Sequence, residues 1–76
     1  MPRYRFAENR SAIGTAIREK RIALKMDQRD VAEALGVDRS YIAKVETGAK
    51  VPTVLFLLAI AEVLHTTMDE LCKPEE

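Results

Sequence analysis

Residues 27–48, DQRDVAEALGVDRSYIAKVETG, constrain the fold more than any other stretch of this chain. Two short helical patterns meet there at one glycine. Asp27 suits an N-cap, where its side chain can accept the orphan N–H groups of a first turn. Val31, Ala32 and Leu35 then fall on one helical face. Gly36 fits the position after a helix end, where a left-handed backbone costs no Cβ clash. Val37 turns inward and Asp38 is a second N-cap. Ile42 and Val45 line the buried face of the next helix, and Gly48 ends it. Only three or four residues separate the two helices.

A chain of 76 residues is expected to form one domain, burying about 60% of its unfolded surface. Hydrophobic residues make up 47% and aromatics 5%. That mixture suits a small helical bundle of Leu, Ile, Val and Ala, so the expected class is all-α. Cys72 is the single cysteine, which excludes an internal disulfide or a cysteine metal cluster, and it reads as a half-buried thiol at a helix end. Met1–Arg10 carries three arginines and no apolar run, so no signal peptide is expected. Val54–Ala61 is far shorter than the ~20 residues that span a bilayer. These features point to a cytoplasmic protein without a membrane partner.

The chain divides into an arm (1–8), a helical domain (9–72) and a tail (73–76). Fraying is the expected state of the arm. Helix one is expected to start between Asn9 and Ala12, capped by Asn9 or Ser11, and to end near Lys25. Ile13, Ile17 and Leu24 give it helical spacing, with Ala16 beside them. Gly14 weakens such a helix by about 1 kcal/mol relative to alanine, or else allows close packing. Helix two is expected over about Gln28–Leu35 and helix three over about Arg39–Thr47. Pro52-Thr53 stops and restarts the chain, with Thr53 as the next N-cap, and helix four then runs over about Val54–Leu64. Thr67 to Glu70 has capping-box spacing and starts a short fifth helix ending near Cys72.

With Ile42 and Val45 inward, the opposite arc of helix three carries Ser40, Ala43, Lys44 and Thr47, flanked by Arg39 and Tyr41. A helical pair with a three- or four-residue turn and such an outer face is the arrangement of a helix-turn-helix, whose second helix enters the major groove of double-stranded DNA. Arg39 can reach guanine O6 and N7 or a phosphate. Ser40 can meet either kind of base edge, and Ala43 can approach a thymine methyl. Lys44 and Thr47 suit backbone or base, and Tyr41 suits a phosphate. Gln28 opens helix two, where backbone N–H groups attract phosphate, and its amide can brace a residue at the start of helix three. Lys50 is placed for a phosphate. Net charge is zero, but residues 1–50 hold eleven Lys/Arg against seven acids, a net of +4, and residues 51–76 hold one against five, a net of −4. A local field thus exists without net charge.

The segments IGTAIREKRIAL, DQRDVAEALGV, RSYIAKVETG, P-T at 52–53, LLAIAEVL and T-M-D-E-L resemble the Cro/cI-type, or xenobiotic-response-element, helix-turn-helix regulators. The resemblance covers residues 13–71. It implies a five-helix lambda-repressor-like fold with helices two and three as the reading unit, and base or backbone contacts at Gln28, Arg39, Ser40, Tyr41, Lys44 and Thr47. It also implies an ion pair between Arg21 and Glu46, a structural rather than a reading pair. The run D-R-S-Y-I further resembles restriction–modification controller proteins.

Helix four is apolar nearly all round. Val54, Leu57, Leu58, Ile60, Ala61 and Leu64 fill one arc, enough for a core. The other arc carries Leu55, Phe56, Ala59 and Val63, with Glu62 its single polar residue. A helix apolar on every side should be buried on every side, so an intermolecular interface is expected at Leu55, Phe56, Ala59 and Val63. A two-fold homodimer is the simplest closure; the fifth helix or the arm folding over this face is the alternative.

The leading functional reading is a sequence-specific, DNA-binding transcriptional regulator acting as a homodimer. The alternative is an antitoxin-like module that binds a protein through helix four. An enzyme is disfavoured, because one His65, one Cys72 and no convergent carboxylates offer nothing for catalysis. His65 is expected to meet the C-terminal dipole of helix four. No metal, cofactor or small-molecule ligand is implied.

Overall fold

The computed structural model describes residues 6–72, which form five helices. They are α1 (Phe6–Ala23), α2 (Gln28–Leu35), α3 (Arg39–Thr47), α4 (Val54–Val63) and α5 (Met68–Leu71). The bounds of α2 and α3 coincide with those expected from the caps and glycines. Helix α1 begins earlier than expected. Phe6, Ala7 and Glu8 belong to it rather than to an arm, and Asn9 and Ser11 lie inside it rather than capping it. The run Ala7-Glu8-Asn9-Arg10 contains good helix formers and no breaker, so nothing local stops the helix at Asn9. Residues 1–5 and the tail 73–76 lie outside the described residues.

Three helix ends share one closure. After α2, Gly36 takes a left-handed φ of 71°, and the Val37 N–H donates to the Ala32 carbonyl. The same six-residue closure ends α1, with Met26 N–H to the Arg21 carbonyl, and α4, with Thr66 N–H to the Ala61 carbonyl. There the left-handed residues are Lys25 (φ 58°) and His65 (φ 54°). This is the Schellman arrangement. His65 therefore closes α4 first through its backbone.

The caps mostly follow the sequence. Thr53 accepts from the Phe56 N–H and Thr67 from the Glu70 N–H, each at 3.2 Å. Asp27 occupies the N-cap of α2, and the Asp30 carboxylate accepts from the Asp27 N–H at 2.8 Å.

Helix α1 packs on α3 and α5, α2 on α3 and α4, and α4 on α5. The core is Ile17, Val31, Ala32, Ile42, Val45, Leu57, Ile60, Ala61, Leu64 and Leu71. Leu24 does not join it. It lies in the turn beyond α1 and is exposed. Cys72 is exposed rather than half-buried.

Gly14 explains how α1 reaches α3. A Cβ at this position would lie 2.6 Å from the Val45 carbonyl oxygen and would also overlap that of Glu46. The two helices therefore touch backbone to backbone, which only glycine permits. Gly14→Ala separates two effects of opposite sign. In open space the substitution would stabilise the helix by up to about 1 kcal/mol. Overpacking of this contact should instead cost about 1–3 kcal/mol, read as a lowered denaturation midpoint.

Candidate nucleic-acid interface

The α2–α3 pair is held by one charged cluster. Arg21 Nε donates to Glu46 Oε2 at 2.7 Å, and Arg21 Nη2 donates to Glu46 Oε1 at 3.1 Å. The Glu46 side chain is 2% exposed and that of Arg21 12%. A buried carboxylate needs such a partner, because a buried charge left uncompensated is costly. The hydrogen bond to Glu46 raises the Arg21 pKa above its ordinary value, against a smaller lowering by burial. Arg21 Nη1 also donates to the Met26 carbonyl at 2.7 Å, which fixes the chain leading into α2. The pair named by the family resemblance is thus present, bidentate and inside the fold.

The cluster continues outward. Gln28 Nε2 donates to Glu46 Oε1 at 3.1 Å, and Arg39 Nη1 donates to Gln28 Oε1 at 3.0 Å. The first residues of α2 and α3 are thereby side by side. Arg10 Nη1 donates to the Gly48 carbonyl at 3.4 Å, at the other end of α3.

Ile42 and Val45 are buried, as the helical periodicity requires. Arg39, Ser40, Lys44 and Thr47 are exposed, and Tyr41 and Ala43 are half-buried. The outer face runs for about 12 Å along the helix, the rise of three or four base pairs. The Thr47 hydroxyl donates to the Lys44 carbonyl at 3.1 Å, which leaves it free to accept.

Val37, Asp38, Ser40, Tyr41, Lys44 and Lys50 line an open depression of about 370 Å³ beside this face. The Lys50 ammonium lies 5.7 Å from the centre of the Tyr41 ring. The Lys50 N–H donates to the Lys44 carbonyl at 3.2 Å, which ties the loop after α3 to the helix. Two lysines and a tyrosine on one concave surface suit an anionic backbone.

Two links escaped the sequence reading. Tyr41 meets Phe56 edge-on at 5.1 Å between ring centres, and this joins the outer face of α3 to α4. Gln28 reaches a carboxylate eighteen residues away. Helical periodicity ranks residues within one element and carries no signal for either contact.

On α4 the division of faces differs from expectation. Val54 and Leu58, placed in the core arc by periodicity, are 67% and 49% exposed. Leu55 is 78% exposed, while Phe56, Ala59 and Val63 are half-buried, and Phe56 and Val63 pack against the core. The neighbouring helices cover a narrower arc of α4 than a helix wheel allots. Among the described residues no helix is long and apolar enough to cross a membrane.

A helix-turn-helix family profile matches residues 17–71. The chain is 33% identical over 63 residues to the HTH-type transcriptional regulator YazB of Bacillus subtilis (strain 168), covering 83% of this chain and 91% of YazB. It is 30% identical over 59 residues to the ImmF control region 10 kDa protein of Bacillus phage phi105, covering 78% and 66%. Among solved structures, the restriction-modification controller protein C.AhdI from Aeromonas hydrophila superposes with a TM-score of 0.79 at 31% identity, over 84% of this chain and 97% of that one. The clp gene regulator ClgR from C. glutamicum gives a TM-score of 0.81 at 25% identity, over 93% and 87%.

Glu46→Ala should lower unfolding free energy by about 3–5 kcal/mol, since it strands Arg21 against the fold. The double variant Arg21→Met with Glu46→Met should recover much of that loss. Urea denaturation of the three proteins measures both.

Proposed function

The chain belongs to the Cro/C1-type helix-turn-helix family of DNA-binding transcriptional regulators, and from this premise we propose that it acts in the cytoplasm as a homodimer on a palindromic operator. Helix α3 lies in the major groove. The observation that carries the reading is the exposed face of α3, presented by a fold whose buried pair lies directly behind it.

Arg39 and Ser40, at the N-terminal end of α3, meet base edges, as the first residues of a recognition helix do. Arg39 spends one N–H on Gln28 and keeps four of its five donors, enough for the O6 and N7 of guanine. Ala43 lets the groove floor approach, and Lys44 and Thr47 meet base or backbone further along. The backbone N–H of Gln28 meets a phosphate at the N-terminus of α2. Tyr41 and Lys50 take the next phosphates along the depression.

The second subunit covers α4. Val54, Leu55 and Leu58 lie on one side of α4 and are exposed, and Val51 is exposed in the loop before it. Ala59 flanks them, while Phe56 and Val63 support the face from within. A contiguous apolar stripe on so small a domain favours association, and two-fold closure is the simplest. It would set two α3 helices about 34 Å apart, one turn of duplex.

Selection of bound DNA from a random pool, with mass measurement of the complex, tests the reading. A palindromic consensus bound by two chains is expected, with affinity falling steeply as salt rises. Enrichment of no sequence at low salt would sink it. Leu55→Glu with Leu58→Glu should give a folded monomer that binds the operator poorly; a double variant that stays dimeric would place the interface elsewhere.

A further inference from the structure

We propose that Phe56 is a positioning residue for the DNA backbone: from α4, and without touching the duplex itself, it sets the strength of the phosphate contact made by Lys50. The role rests on the operator-binding reading of α3. Three contacts in series carry it, from the Thr53 cap to Phe56, from Phe56 to Tyr41, and from Tyr41 to Lys50.

Phe56 is fixed at its backbone. It stands in the first turn of α4, where its N–H donates to Thr53 Oγ1 at 3.2 Å. It is half-buried and packs against the core. Its ring meets that of Tyr41 with 5.1 Å between centres and 67° between planes. Edge-to-face contact is an arrangement that ring quadrupoles favour, so Phe56 fixes the tilt of a ring carried on the flank of α3. A leucine in its place would fill the space without setting that tilt.

The other neighbour of the Tyr41 ring is Lys50. Its ammonium lies over the ring, 5.7 Å from the centre, and its backbone N–H is tied to the Lys44 carbonyl. A lysine on a flexible stem loses rotamer entropy when it is held against a phosphate. Attraction to the ring face orders part of that stem before DNA arrives. It does so without neutralising the charge. The one ion pair among the described residues is Arg21–Glu46, so Lys50 has no carboxylate to give up when it takes a phosphate. The aromatic platform thus orients the cation and leaves it available, which an ion pair with Asp38, in the same depression, would not.

A double-mutant cycle between Phe56→Leu and Lys50→Met tests this. Wild type, F56L, K50M and the double variant are each titrated at several salt concentrations. The probes are the duplex that wild type selects from a random pool and a shuffled duplex. K50M should weaken both duplexes alike and lower the salt slope by about one. F56L should weaken both about two- to fivefold, and in the K50M background it should have no further effect. All four proteins should have the same mass in solution. In free wild type, the Tyr41 ring current should move the Lys50 side-chain protons upfield, and F56L should remove most of that displacement. Phe56→Met takes the place of F56L if the leucine variant does not fold.

Additive losses in the cycle would place the effect of Phe56 elsewhere and overturn the proposal. So would unchanged affinity in F56L, or Lys50 protons undisplaced in wild type. A loss confined to the selected duplex would make Phe56 a determinant of base reading, and a changed mass in F56L would assign its effect to assembly; either overturns the proposal. If wild type enriches no sequence, the operator reading fails and takes the proposal with it. If wild type enriches an operator and F56L binds it unchanged, only the proposal fails.

Discussion

The Arg21–Glu46 pair is the interaction on which the rest of the arrangement depends. It joins residues twenty-five apart, one in α1 and one in α3. Most of the cost of burying it falls on Glu46, whose side chain is nearly inaccessible. Every polar atom of the pair has a role: Glu46 accepts from Arg21 and Gln28, and Arg21 also holds the Met26 carbonyl. Among the described residues no buried side-chain nitrogen or oxygen lacks a partner. A half-satisfied network would cost more than an apolar core, so this cluster fixes one relative placement of α1, α2 and α3 and disfavours others.

Gly14 works with the pair. It brings the α1 backbone against the carbonyls of Val45 and Glu46, beside the carboxylate that Arg21 grips one face along. A larger residue at 14 would push α3 away and lengthen the Arg21–Glu46 bonds. Close approach and charge pairing thus reinforce each other, and together they set the angle at which the outer face of α3 is offered to a duplex. Tyr41 against Phe56 extends the same rigidity to α4, so the outer face of α3 and the exposed apolar side of α4 belong to one packed unit.

Much of this was legible in the residues themselves. The caps and glycines placed α2 and α3 to the residue, because each boundary is a local event of backbone and neighbouring side chain. The inward direction of Ile42 and Val45 followed from periodicity and so did the outward set from Arg39 to Thr47. The start of α1 was not legible, since Asn9 and Ser11 are cap residues by type that here lie within a helix no local breaker stops. The exposed positions of α4 were not legible either. Periodicity shows that Val54, Leu55 and Leu58 are apolar, and cannot show how far along α4 the neighbouring helices reach.

The sequence by itself determined the class, the turn, the family and the outward side of α3, for these depend on contacts between residues near in the chain or on a pattern shared along it. The tertiary structure alone decided three other matters: that Gly14 is a point of backbone contact, that Leu55 is exposed together with Val54 and Leu58, and that the Gln28 amide stands between Glu46 and Arg39. Each concerns groups distant in the chain whose distance is set by packing. The amide shows the reason most clearly. Its chemistry allows donation or acceptance at either end, and only the charges that folding places around it choose between them.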